Sequence, residues 1–193
     1  MPIDPTDLRD ARAERSRAAL LAAFFDLVQR TRYDEIRIAD ILEQADVSRS
    51  TFYAHFAGKD ALLAASIAGP FSVLANTLRS DDIMSLVAML DHFWERRALA
   101  RSILREPVRR RVAAVLTAQI EQILRAGGAW KRGPLLLPER LAAVQLAEML
   151  LAPVVAWLAG EASCSSAALA SALRRVSVAA LDAMSLATPS TRG

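Results

Sequence analysis

Residues 36–62, IRIADILEQADVSRSTFYAHFAGKDAL, decide how this chain folds. Ile38, Ile41, Leu42 and Ala45 recur at helical spacing, so the stretch opens with a short amphipathic helix. Asp46 stands where the helix must end, and Asp tolerates a left-handed turn better than most residues. Ser48 follows at an N-cap position, where its hydroxyl accepts from an exposed amide of the next helix. In that second helix, Arg49 to about His55, Thr51 and Phe52 face inward, as does Phe56 just after it. Arg49, Ser50, Tyr53 and His55 face out. Two short helices joined by a tight turn, the second with an exposed polar face, make a helix-turn-helix able to enter a DNA major groove.

The run ADVSRSTFYAHFAGKDAL resembles the signature of TetR-type transcriptional regulators. The matching positions are Val47-Ser48-Arg49, Thr51-Phe52-Tyr53, His55-Phe56, Lys59-Asp60 and Leu62-Leu63. Upstream, Tyr33 through Ile41 fits the segment that joins the family's first two helices. The specific resemblance covers about residues 18–65; beyond it, only helical character and length fit. Two positions depart from the pattern. Arg37 stands where a small hydroxyl residue usually caps the second helix, and Asp46 where Gly is usual. The resemblance implies DNA contact by Arg37, Ser48, Arg49, Ser50, Thr51, Tyr53, His55 and Lys59. It also implies a homodimer and a small-molecule effector.

Composition bounds the alternatives. The 193 residues are 53% hydrophobic with only 7 Gly and 8 Pro, which favours a packed helical protein over disorder. The single cysteine, Cys164, excludes an intramolecular disulfide and a cysteine-based metal cluster, and suits a cytoplasmic setting. The first residues carry no apolar stretch, which argues against a secretory signal. Basic side chains number 24 and acidic ones 21, a net charge of +3. Residues 1–69 hold 9 basic and 11 acidic groups, a balance of −2, so bulk charge does not point to nucleic acid. The distribution permits it: Arg9, Arg12, Arg15 and Arg17 crowd the first helix, and Arg37, Arg49 and Lys59 flank the motif.

The rest of the chain reads as helices. A loose arm, 1–8, precedes a helix from about Leu8 or Asp10 to Arg30, with Leu20, Leu21, Phe24, Phe25 and Val28 as its buried stripe. Gly58-Lys59 opens a long helix reaching about Leu78, whose first amides and Lys59 suit a phosphate. Gly69-Pro70 threatens to kink it. Further helices are expected at about 81–98, 99–105, from Pro107 to about Ala126, at 141–158 and at 166–186. The domains expected are a helix-turn-helix domain, 1–66, a helical effector-binding and dimerisation domain, 67–187, and a disordered tail, 188–193.

Leu141–Leu158 is apolar nearly all round and just long enough to span a membrane. Its Gln145, Glu148 and Pro153 favour instead a helix buried on two sides, one against a partner subunit. With the Ala- and Ser-rich last helix it forms a candidate four-helix dimer interface: Leu146, Leu150, Val154, Leu169, Leu173, Val176 and Leu181. Phe71, Met89, His92, Phe93, Trp94, Trp130, Met149 and Trp157 are candidates for an apolar effector pocket; ordinary core packing is the competing reading for each.

No catalytic array, phosphate loop or metal motif appears, and with 2 His the acid–base inventory is nearly empty. The expectation is an all-α, non-enzymatic, cofactor-free regulator. It would be a repressor released from a palindromic double-stranded operator by a largely apolar effector. The competing reading is a helical adaptor or ligand-binding protein whose helix-turn-helix no longer binds DNA.

Overall fold

The computed structural model describes residues 5–126 and 134–185. The chain is all-α and divides into two compact units, Met1–Ile67 and Ala68–Gly193.

In the first unit α1 (Pro5–Arg30) packs against α2 (Ile38–Ala45) and α3 (Arg49–His55), and α4 (Lys59–Asn76) begins behind them. The stripe Leu20, Phe24 and Val28, at i, i+4 and i+8, is buried and meets Ile41, Phe52, Leu62 and Leu63 in a common core. Phe52 is 0% exposed. Burying a ring of that size stabilises the unit by about 2–3 kcal/mol. α1 starts at Pro5, earlier than the sequence suggested, so residues 5–8 of the expected arm form its first turn. Proline suits that position because its missing N–H would have had no intrahelical acceptor.

The turn between α2 and α3 is built as its residues require. Asp46 is left-handed at φ 50° and ψ 49°. Its N–H donates to Glu43 O (3.3 Å), and that of Val47 donates to Leu42 O (3.2 Å). This crossed pair satisfies two carbonyls at the helix end. Ser48 then caps α3, its Oγ accepting from Thr51 N at 3.2 Å. At the start of α2, Arg37 has no side-chain oxygen to cap with. Asp40 supplies the return contact, its Oδ2 accepting the Arg37 N–H at 2.8 Å.

The second unit takes the rest of α4 and adds α5 (Ile83–Glu95), α6 (Arg97–Ile103), α7 (Val108–Ala126), α8 (Glu139–Ala159) and α9 (Ser166–Met184). Pro70 lies inside α4 without ending the helix. Pro107 precedes α7 rather than entering its first turn, and the Glu106–Pro107 bond is cis. α7 and α8 form the densest pairing. Val112, Leu116 and Ile120 make one buried ridge along α7; Ala143, Ala147 and Leu150 are buried along α8, where small side chains permit close approach. Arg109 pairs with Glu148, and Arg140 pairs with Glu121 at 3.1 Å, so ion pairs cross between the two helices at both ends.

α8 is long and apolar enough to cross a membrane, yet nine of its residues, from Ala142 to Leu158, are buried within this unit. It is a core helix. Gly160, at φ 83°, ends it in a backbone conformation that a side chain would strain. Beyond it the Trp157 indole donates to Cys164 O at 3.1 Å. The tail, 188–193, lies outside the described residues.

Candidate nucleic-acid interface

α3 presents a face that its own unit leaves uncovered. Phe52 locks the inner side, in edge contact with Tyr53 (5.3 Å between ring centroids) and tilted contact with Phe56 (5.9 Å). Arg49, Ser50 and Tyr53 are exposed, as is Ser48 at the cap; Thr51 and His55 are half-buried. Ser48 Oγ lies 2.9 Å from Ser50 Oγ and 2.8 Å from Thr51 Oγ1, so three hydroxyls share one hydrogen-bonded cluster. Hydroxyls of this kind both donate and accept, which suits a phosphate oxygen. Arg49 has no ion pair among the described residues and extends from the first turn of the helix. A guanidinium there can address two acceptors at once, the pattern a guanine edge offers.

Arg37 is exposed but engaged, its Nη2 lying 2.8 Å from Asp40 Oδ1. The guanidinium contact, followed by the backbone N–H, holds the Asp40 carboxyl below the usual carboxylate range. This contact is therefore intact at neutral pH and is lost only under acid conditions, as pH falls through the depressed value. At the protein surface such a pair yields readily to a competing phosphate.

Lys59 differs from the sequence expectation. Its ammonium donates to Tyr33 O and Ile36 O, both at 2.6 Å, and lies 4.3 Å from the centre of the Tyr33 ring. The Tyr33 hydroxyl donates to the Asp60 carboxylate, one residue further along α4. Rather than projecting as a phosphate-binding cation, Lys59 ties the α1–α2 connection to the start of α4. Tyr33 and Asp60 complete this tie and were not singled out by sequence. Their separation of 27 residues hides the pairing, which only the folded unit creates. Arg17 likewise sits over the Phe56 ring at 5.9 Å.

The effector candidates do not gather into one place. Phe71 and Met89 are buried and Phe93 is half-buried, with Phe71 and Phe93 6.3 Å apart. Trp94 is 40% exposed and packs against buried Trp157 with 4.7 Å between ring centroids, and the Arg97 guanidinium lies over the Trp94 ring, 5.3 Å from its centre. His92 faces out. Met149 instead lines a shallow apolar cleft between α8 and α9, together with Pro153, Leu169, Ala172 and Val176. Trp130 lies outside the described residues.

The dimer candidates are also redistributed. Leu146, Leu150, Val154, Leu169, Leu173 and Leu181 are each no more than 8% exposed within the single chain, so its own core already covers them. Val176, at 51%, is exposed. The uncovered apolar surface of these helices includes Leu141 and Val144 near the start of α8 and a strip through Met149, Pro153, Ala172 and Val176. Among the described residues, no group of three or more His, Cys, Asp or Glu side chains is placed to hold a metal.

Comparison with known proteins follows this division of the chain. Residues 20–66 match the family model of bacterial regulatory proteins, tetR family. A 55-residue segment is 44% identical to the uncharacterized HTH-type transcriptional regulator YxbF of Bacillus subtilis (strain 168); it covers 28% of this chain and 14% of that protein. The chain thus matches only a small part of that relative's length. A TetR transcriptional regulator from Streptococcus agalactiae 2603V is similar in fold over 89% of this chain and 98% of its own, at 22% identity and a TM-score of 0.55. Another, from Rhodococcus sp. RHA1, aligns over 90% and 97% at 18% identity and a TM-score of 0.54. At such identities the structural likeness is one of fold.

Replacing Lys59 by Met removes the ammonium and its two bonds to backbone carbonyls, and is expected to lower the unfolding free energy by about 2 kcal/mol. Urea denaturation of the two proteins measures it. A loss below about 0.5 kcal/mol would show that Lys59 is not a structural tie.

Proposed function

We propose that the chain is a TetR-type transcriptional regulator, a cytoplasmic protein that binds a palindromic double-stranded DNA operator as a homodimer; the match of residues 20–66 to that family's model supports this. Its most economical mode of action is repression, relieved by a small molecule bound in the second unit. The observation that carries this reading is α3: a helix with its inner face locked by Phe52 and with Arg49, Ser50 and Tyr53 exposed together.

In this reading Arg49 reads a base edge, and Ser48, Ser50, Thr51 and Tyr53 hold the flanking phosphates. Arg37 and His55 add backbone contacts at the margins. Lys59 acts indirectly, by fixing the position of α4 behind the motif. The strip through Met149, Pro153, Ala172 and Val176 is the candidate contact between protomers. A two-fold axis would set one α3 in each of two major-groove half-sites. Phe71, Met89, Phe93, Trp94 and Trp157 are the candidates for contact with an apolar effector. That effector must bind the form of the dimer with mismatched half-site spacing more tightly than the DNA-competent form. The −2 balance of residues 1–69 and the inward Lys59 favour one alternative, an adaptor that binds a ligand but not DNA.

Selection of bound fragments from a genomic DNA pool by the purified protein decides between them. The regulator reading predicts an enriched inverted repeat whose binding weakens steeply with salt. Arg49→Ala should weaken it by about 10-fold or more, since one good bidentate base contact contributes about 1–3 kcal/mol of discrimination. A folded dimer that enriches no site supports the adaptor.

The protomer contact is tested separately. Val176→Arg introduces a charge on the exposed strip without touching the core, and sedimentation should show a shift from dimer to monomer with unchanged helicity. An unaltered dimer would place the contact elsewhere.

A further inference from the structure

A cleft of about 290 Å³ lies where the end of α4, the start of α5 and the middle of α9 meet, and none of the aromatic candidates for effector contact lines it. Its apolar surfaces come from Val73, Ile83 and Leu86, and Arg174 of α9 forms part of its wall. The side chain of Arg174 is 20% exposed, and its Nε and Nη1 are buried with no hydrogen-bond acceptor among the described residues. Only Nη2 is engaged, pairing with Asp81, whose side chain is 96% exposed and so holds the guanidinium weakly. A charged group with two orphan N–H donors is costly to bury, and an acceptor that reached them would recover that cost.

Several other polar groups of the cleft bond one another, and Arg79 lines its exposed side. Asn76 Oδ1 accepts from Arg79 Nε at 2.8 Å, Ser80 Oγ accepts from Asp82 N at 3.1 Å, and both Asp82 oxygens accept from Ser85. Among the residues lining the cleft, the Arg174 guanidinium is the buried group with unspent hydrogen-bonding capacity.

We propose that this cleft binds a small organic monocarboxylate, anchored by Arg174. The Nε–Nη2 edge of a guanidinium presents two parallel donors that match a carboxylate fork. A turn of the side chain, releasing Asp81, brings that edge to the cleft. With Arg79 and Arg174 against Asp82, the wall carries one net positive charge, which a monoanion balances and a dianion such as sulfate exceeds. Val73, Ile83 and Leu86 give the organic part of the ligand an apolar seat. The volume suits a molecule at the small end of the range that protein pockets accept, roughly 300–1,000 Å³. The lining of this cleft shares no residue with the aromatic candidates for effector contact.

The test is titration of the purified full-length protein with benzoate, with benzamide as its uncharged shape match and sulfate as an inorganic dianion. Benzoate should bind at least 10-fold more tightly than either. Arg174→Gln should weaken it by at least 10-fold while benzamide is unaffected. If that variant does not fold, nitrogen-15 NMR of the unaltered protein decides: the Arg174 Nε–H signal must move with benzoate and not with benzamide. Equal binding of benzamide, tighter binding of sulfate, undiminished binding by folded Arg174→Gln, or an unmoved Arg174 signal would each overturn the assignment.

Discussion

The first unit depends on an ammonium held between two backbone carbonyls. Lys59 bonds Tyr33 O and Ile36 O, where the chain has left α1 and is about to enter α2. Those carbonyls lie outside any helix, where no intrahelical N–H is available to them. Tyr33 places its ring under the same ammonium and its hydroxyl on Asp60. The connection and the start of α4 are thereby fixed to each other. With Phe52 and Ile41 buried against α1, the turn between α2 and α3 has few alternative settings. A recognition surface needs that rigidity, because a displacement of about 1 Å is enough to spoil hydrogen bonds to a base edge.

Much of this unit was legible in the sequence because its signals are local. Ile38–Ala45 and Arg49–His55 occur as helices where periodicity put them, with Ser48 as the cap and Asp46 left-handed. The role of Lys59 was not legible. A lysine at the start of a helix beside a proposed phosphate site looks like a phosphate ligand, and only the return of residues 33 and 36 to its side shows otherwise. Arg37 poses a similar problem: it lacks a capping oxygen, and the compensating contact with Asp40 emerges only from the folded backbone.

The second unit shows where periodicity stops being informative. A helix apolar on every side, such as α8, signals burial but not by what. Leu146, Leu150 and Val154 suit a dimer interface and a monomer core equally well on paper; the structure assigns them to the core. Among the apolar side chains left over, Met149, Pro153 and Val176 form a narrower strip on which a second copy can pack, with Leu141 and Val144 exposed nearer the start of α8. Aromatic residues behaved likewise. Trp94 and Trp157 stack together, whereas His92 is exposed on the same helix as Trp94. Arg174 was not singled out at all, since an arginine in an Ala- and Ser-rich helix looks solvated until α5 covers it.

The central claim is that α3 enters the major groove of DNA with Arg49 at a base edge. Dimethyl sulfate modifies guanine at N7, an atom that faces the major groove. Modifying a selected DNA fragment in the presence of the protein therefore reports directly on that groove. The account predicts guanines protected in both half-sites, with protection lost when Arg49 is replaced by Ala. Uniform N7 reactivity on a fragment that the protein demonstrably binds would contradict it.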